Sequence, residues 1–154
     1  MKRLLVPAAA AAVAVLVVAV VNATATGSRS AVGGSIHVIE HATTDAVTNG
    51  TAGDSAGNIL TFANDVFDSS DTHKVGSDQG SCVRTVVGEA WECTWTTFLP
   101  GGQITVEGPF YDSSNSTVAV TGGTGAYRNA RGSMALEYHN PAGTEFDFVF
   151  NLIG

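Results

Sequence analysis

The chain has 154 residues, with seven Lys and Arg against fourteen Asp and Glu, for a net charge of −7. A surface that acidic repels phosphate backbones and anionic lipid, which excludes nucleic acid as a natural partner. The length corresponds to one domain.

Lys2 and Arg3 precede the uncharged apolar run Leu4–Val21, and small residues follow in Val21-Asn22-Ala23-Thr24-Ala25. That is the layout of a secretory signal peptide cleaved after Ala25, with an uncleaved membrane anchor as the alternative. Cleavage leaves ~130 residues, enough for a modest core, with five basic residues against fourteen acidic ones. The expected organisation is a signal over 1–25, a small-residue lead-in over 26–34 and one folded domain over 35–154, secreted and free of membrane once the signal is gone.

Beyond the lead-in the pattern is β throughout. Residues 35–43 alternate, with Ile36, Val38 and Glu40 on one face and His37, Ile39 and His41 on the other. Residues 44–56 hold Asn49-Gly50 and Gly53-Asp54 and read as an irregular loop. Strands are then expected over 58–68, 79–87, 89–99, 102–111, 116–121, 129–139 and 143–153, making eight with the first. The separators are Gly76-Ser77-Asp78, Pro100-Gly101-Gly102, Asp112-Ser113-Ser114-Asn115 and Asn140-Pro141-Ala142-Gly143. No stretch beyond the signal sustains helical periodicity. Eight short antiparallel strands best resolve their edges by closing into an all-β barrel, whose lumen is filled by side chains or holds one small ligand.

Cys82 and Cys93 flank a hairpin in a chain expected to be exported. With Val87-Gly88 at the tip, the two cysteines stand opposite each other, close enough to bridge. Asp65, Asp68, Asp71 and Asp78 lack the ordered spacing of a calcium loop and read as a solvated acidic face. His37 and His41, four apart on a strand, are ~13 Å apart and cannot share one metal. His73 and His139 read as surface residues. Glu107, Glu137 and Glu145 offer carboxylates whose facing the sequence leaves open. Neither a nucleophile elbow nor a cofactor or metal motif is present. The glycine-dense corner Gly122-Gly123-Thr124-Gly125-Ala126-Tyr127 is followed by neither a Lys-Ser/Thr pair nor a helical pattern, so it is no phosphate cradle. It reads as a place where glycine lets one strand swing into the next.

That corner, with Val118-Ala119-Val120-Thr121 before it and Ala130-Arg131-Gly132 after, resembles the signature shared by allene oxide cyclases and dirigent proteins. Gly102–Phe110, ending in Gly108-Pro109-Phe110, is closer to the cyclase branch. So are Phe62-Ala63-Asn64-Asp65-Val66-Phe67, the spacing from Val75-Gly76 to Gly80-Ser81-Cys82, and the aromatic last strand Thr144–Phe150. The resemblance implies an eight-stranded barrel, often trimeric, that binds a hydrophobic small molecule and moulds its ring closure without a cofactor. A delocalised cationic intermediate would be stabilised there by a carboxylate and by aromatic faces. By resemblance, Asn64 holds water or substrate, Phe62 and Phe110 are pocket aromatics, Cys82 is a pocket cysteine, and Glu40 is the buried carboxylate. Phe110 stands where the family has Tyr. Two states remain open for Cys82, a bridge to Cys93 or a free pocket thiol. Two alternatives to a cyclase also remain: a dirigent-like scaffold that imposes stereochemistry, and an inert ligand-binding barrel.

Overall fold

The computed structural model describes residues 33–49 and 53–153, the side chains of residues 48 and 49 excepted. The signal segment and most of the lead-in lie outside them. The strands are β1 (Gly34–His41), β2 (Ala46–Asn49), β3 (Ile59–Phe62), β4 (Asp65–Asp68), β5 (Lys74–Val86), β6 (Ala90–Leu99), β7 (Gly102–Tyr111), β8 (Ser116–Gly125), β9 (Arg131–Tyr138) and β10 (Glu145–Ile153). All pair antiparallel. The order β5-β4-β1-β10-β9-β8-β7-β6 closes on itself through β5–β6, so the chain is a closed eight-stranded barrel, with β3 and β2 continuing beside β5.

Alternation along each strand places the core inside. Val38 and Glu40 of β1 point into the lumen, as do Trp91, Cys93, Trp95 and Thr97 of β6 and Phe146, Phe148, Phe150 and Leu152 of β10. One end is packed with Val66, Ile104, Val106, Val118, Val120, Met134 and Phe150, all almost fully buried. At the other end the strands part. β7 pairs with β8 only as far as Glu107, and Gly108-Pro109 follows. Pro109 has no N–H to donate, so it is tolerated where a ladder has stopped. β7 continues along β6 as far as Tyr111.

Three sequence expectations are corrected. Residues 44–56 are not all loop: β2 lies within them and pairs with β3, through a register shift between Val47 and Asn49. The single strand expected over 58–68 is two, because β3 pairs with residues 80–83 of β5 and β4 with residues 74–77, and the change of course falls at Ala63-Asn64. Gly76-Ser77-Asp78 is not a turn but the interior of β5. A Cβ on Gly76 would lie 2.0 Å from the Phe98 carbonyl oxygen, so glycine is required there by the close approach of β6 rather than by a bend. The same holds at Gly123, where a Cβ would lie 2.3 Å from the Tyr127 carbonyl oxygen. In the glycine corner only Gly125, at φ +59°, uses the left-handed region.

The β5–β6 hairpin turns where expected, with Gly88 at φ +69° and Cys82 opposite Cys93. The two cysteines form a disulfide, Cα–Cα 4.0 Å, and no free cysteine remains among the described residues. Closing a loop of this length stabilises a fold by roughly 2–3 kcal/mol. The Cys82→Ser/Cys93→Ser double variant should therefore melt about 10 °C lower. An unchanged melting temperature in a calorimetric scan would show that the bridge adds nothing.

Candidate functional site

The open end of the lumen holds a cavity of about 380 Å³ of empty space, part of it continuous with solvent. Its walls are apolar and mainly aromatic: Phe62, Trp95, Phe110, Phe146 and Phe148, with Leu60, Leu136 and the Cys82–Cys93 bridge. Among the described residues, Glu40 and Asp45 are the only charged ones in the wall. The rings brace each other edge to face or tilted, Trp95 to Phe148 at 5.8 Å, Phe62 to Trp95 at 6.4 Å and Phe110 to Phe146 at 5.7 Å. Such contacts fix the wall before any guest arrives. Trp95 lies across Gly80 of β5, where a Cβ would come within 2.3 Å of its own. Tyr138 donates its hydroxyl hydrogen to the Tyr111 carbonyl at 3.0 Å, tying β9 to β7 where β7 leaves β8.

The polar end is a network built on Asn64, which sits at the break between β3 and β4. Its backbone exchanges hydrogen bonds with Asp78, N–H to carbonyl at 3.1 and 2.9 Å. Its side-chain amide has no spare capacity. Oδ1 accepts from the Thr43 N–H at 3.1 Å, the Thr44 N–H at 2.9 Å and the Thr44 hydroxyl at 2.9 Å. Nδ2 donates to Glu40 Oε1 at 2.8 Å and Asp45 Oδ1 at 2.7 Å. These partners fix the amide orientation, since only the NH2 end can face two carboxylates. Asn64 is 1 % exposed and does not line the cavity: it stands behind Glu40 and Asp45 and positions both. Asn64→Ala would strand the Thr43 and Thr44 amides and release Asp45. We expect a loss of about 3 kcal/mol in denaturant unfolding, as for other buried networks broken at their centre; a loss within ~0.5 kcal/mol, the range of an ordinary surface change, would refute this.

Glu40 and Asp78 form a buried carboxyl pair, 6 % and 2 % exposed. Burial raises the Glu40 pKa to about 7, opposed by the Asn64 hydrogen bond and reinforced by the charge of Asp45. Burial, then the charge of Glu40, raises Asp78 to about 9. Asp78 Oδ2 is buried and has no hydrogen-bond donor among the described residues, and a bond between it and the Glu40 carboxyl would need a proton between them. Two adjacent carboxyls in an apolar lumen cannot both ionise cheaply, so the pair holds a proton to higher pH than an ordinary carboxyl does. Beside Asp78 across the β5–β6 ladder, Thr97 is fully buried and its hydroxyl has no protein partner.

The structure thus brings Glu40, Phe62, Cys82 and Phe110 to one cavity, with Asn64 one layer behind. Cys82 is in the wall as half of a disulfide, which removes the free-thiol alternative. The solvated acidic face is corrected for Asp78, which is inside the barrel. Asp65 pairs with Lys74 and Asp71 with His41. Glu107 and Glu137 are exposed and Glu145 is half-buried on the outer face, so none enters the lumen. His37 and His139 both pair with Asp147, at 2.7 and 3.0 Å, joining β1, β10 and the turn after β9 on the outside. The ligand atoms of His41, Asp71 and Glu145 lie within 4.8 Å of one another, also on the outer face.

Asp45, Asp78 and Trp95 were missed in the sequence. Period-two alternation would have found two of them. Trp95 shares a face with Cys93, and Asp78 shares one with Gly80 and Cys82, once β5 is extended through Gly76. Asp45 carries no periodic signal, because it lies in a loop.

The chain is thus a closed antiparallel barrel, packed at one end, with a cavity and a buried acid in its wall at the other. The family model of the allene oxide cyclase barrel-like domain matches residues 36–150, and the chain belongs to that family. Among solved structures, a pyocyanin demethylase is 24 % identical, covers 76 % of this chain and 100 % of its own, and superposes with a TM-score of 0.64. A pterocarpan synthase dirigent protein is 16 % identical, covering 79 % of this chain and 96 % of its own, TM-score 0.63. The exo-specific intermolecular Diels-Alderase AbnU is 17 % identical, covering 79 % and 100 %, TM-score 0.60. At these identities the likeness is one of fold.

Proposed function

We propose that this protein binds an apolar small molecule in the barrel mouth and directs its cyclisation or isomerisation, with Glu40 as the acid–base group. One observation carries the reading: a buried carboxyl, Glu40, is set beside Asp45 into a wall that is elsewhere aromatic and aliphatic, and it is braced from behind by Asn64. A proton from the Glu40–Asp78 pair can pass to an epoxide or enone oxygen of the guest. Opening of that group leaves a delocalised cation, which closes to a ring and returns a proton to the carboxylate, so the net change is an isomerisation. The aromatic wall and the Glu40 charge both stabilise the cationic stage, and the shape of the cavity selects among ring closures. No cofactor enters this scheme.

The disulfide is compatible with an oxidising compartment. It supports the proposal that residues 1–25 are removed and the barrel works outside the cell, as a homotrimer if it follows the family habit.

The test is incubation with a panel of conjugated fatty epoxides and dienones, with products resolved by chiral chromatography. Wild type should give one ring-closed enantiomer in excess, and Glu40→Gln should lower that rate by about 10²-fold, the usual worth of a positioned acid–base group. Product ratios equal to those in buffer for every panel member count against the reading. A dirigent-like role is the second reading, favoured by a wall without a free thiol or, at Phe110, a hydroxyl. Under a fixed external oxidant acting on a phenol, an enantiomeric excess that survives Glu40→Gln would select it.

A further inference from the structure

The cavity wall is asymmetric in charge. Its charged groups are Glu40 and Asp45, and among the described residues no cationic side chain lines it. The one buried guanidinium at this end, Arg84, is committed to Asp54 and Asp112 and lies over Trp91. Five aromatic rings make up most of the remaining surface. Trp95 Nε1 is buried without a hydrogen-bond partner in the protein. The whole molecule carries a net charge of −7, which draws cations toward its openings.

We infer that the natural guest is a flat aromatic molecule bearing a cationic ring nitrogen, held with its charge against Glu40 and Asp45 and its faces against Phe62, Trp95, Phe110 and Phe148. This rests on the reading of the cavity as a ligand site. The two acids, the net charge and the aromatic faces point the same way, while the Trp95 N–H, a donor, can serve only an acceptor atom of the guest. A cation set over aromatic faces is attracted by their quadrupoles, and more so away from water. An anionic lipid head at the same place would meet two acids and no positive partner.

The experiment measures binding of three probes of one shape: N-methylquinolinium (cation), 2-methylnaphthalene (neutral) and 2-naphthoate (anion). Trp95 in the wall supplies a fluorescence signal, and calorimetry supplies a second. The cation should bind about tenfold or more tightly than the neutral probe, the advantage expected of a desolvated cation–π and carboxylate contact, and the anion should bind weakest. Asp45→Asn and Glu40→Gln should each narrow the gap between cation and neutral probe. Leu60→Trp, which fills the cavity and leaves both acids in place, should abolish cation binding. Equal or tighter binding of the neutral or anionic probe overturns the charge preference and leaves the ligand cavity standing. Cation binding that survives Leu60→Trp overturns it as well, because the attraction would then be to the acidic surface. Failure of all three probes to bind overturns this inference together with the cavity reading.

Discussion

Raising the pH from 5 to 9 should cost this protein on the order of 3 kcal/mol of folding stability, and Asp78→Asn should remove much of that loss. The sign follows from the carboxyl pair. Burial raises Glu40 to about 7 and Asp78 to about 9, both well above the ordinary carboxyl values of the unfolded chain. A folded state that holds a proton more tightly than the unfolded state is favoured at low pH. The pair's contribution is complete below about pH 4 and is lost as the pH rises through the two folded values. The ~3 kcal/mol counts only the rise of Glu40 to about 7, which spans two to three pH units, and is a lower bound because the rise of Asp78 acts in the same direction. An Asn at position 78 can donate to Glu40 as the protonated acid does, yet cannot ionise, so the variant keeps the bond and loses the slope. Urea unfolding at several pH values reads this directly. A wild-type curve that is flat or rises between pH 5 and 9 would mean that the pair does not hold a proton.

Replacing Arg84 should be the most damaging single change away from the cavity, at about 3 kcal/mol for Arg84→Ala. Arg84 is 8 % exposed. Its Nη1 donates to Asp112 Oδ2 at 2.6 Å, its Nε lies 2.7 Å from Asp54 Oδ1 at an angle too poor for a hydrogen bond, and its guanidinium lies 3.9 Å from the centre of the Trp91 ring. Asp112 also accepts from Trp91 Nε1 at 3.1 Å, and Asp54 Oδ2 accepts from the Gly88 N–H at 2.6 Å. One guanidinium therefore ties the 53–58 loop, the β5–β6 turn and the β7–β8 turn together around the open end. Truncation leaves two acids without their cation and uncovers an indole. The partially exposed partners keep the loss below that of a fully buried pair. Arg84→Met retains the packing over Trp91 and should lose about half as much. Thermal melts separate the two variants, and limited proteolysis should show new cleavage within 53–58 for Arg84→Ala. Equal losses for Ala and Met would assign the effect to charge and none of it to packing.

How far the sequence reaches is set by what each signal depends on. Strand β7 is legible to the residue, 102–111, because strict alternation lies between two strong turns. The Cys82–Cys93 bridge is legible because one short hairpin fixes its register. The inward face of Glu40 is legible because Ile36 and Val38 share it. Gly76 misled for a physical reason, since glycine marks a turn and a close approach with the same letter, whereas Gly80 was read within its strand. Here both sit where β5 passes tight against β6. Reading Gly76 as a turn cut Asp78 from its strand, and with it went the acid pair. Asn64 was legible through its family spacing, but its position behind the wall depends on a break in pairing between β3 and β4. Both neighbours of that break, β1 and β5, are distant in sequence. The short strand β2 was lost because its four residues lie among turn-forming neighbours and acquire strand character only by pairing with β3.

The central claim is that the inner wall of this cavity keeps a single proton between Glu40 and Asp78 at neutral pH. Side-chain carboxyl carbon NMR, followed from pH 3 to 10 and assigned with Glu40→Gln and Asp78→Asn, tests it most directly. Two separated steps, one near neutrality and one on the alkaline side, are the expected result. Two ordinary carboxyl titrations complete below about pH 5 would contradict it, and with it the acid–base role of Glu40.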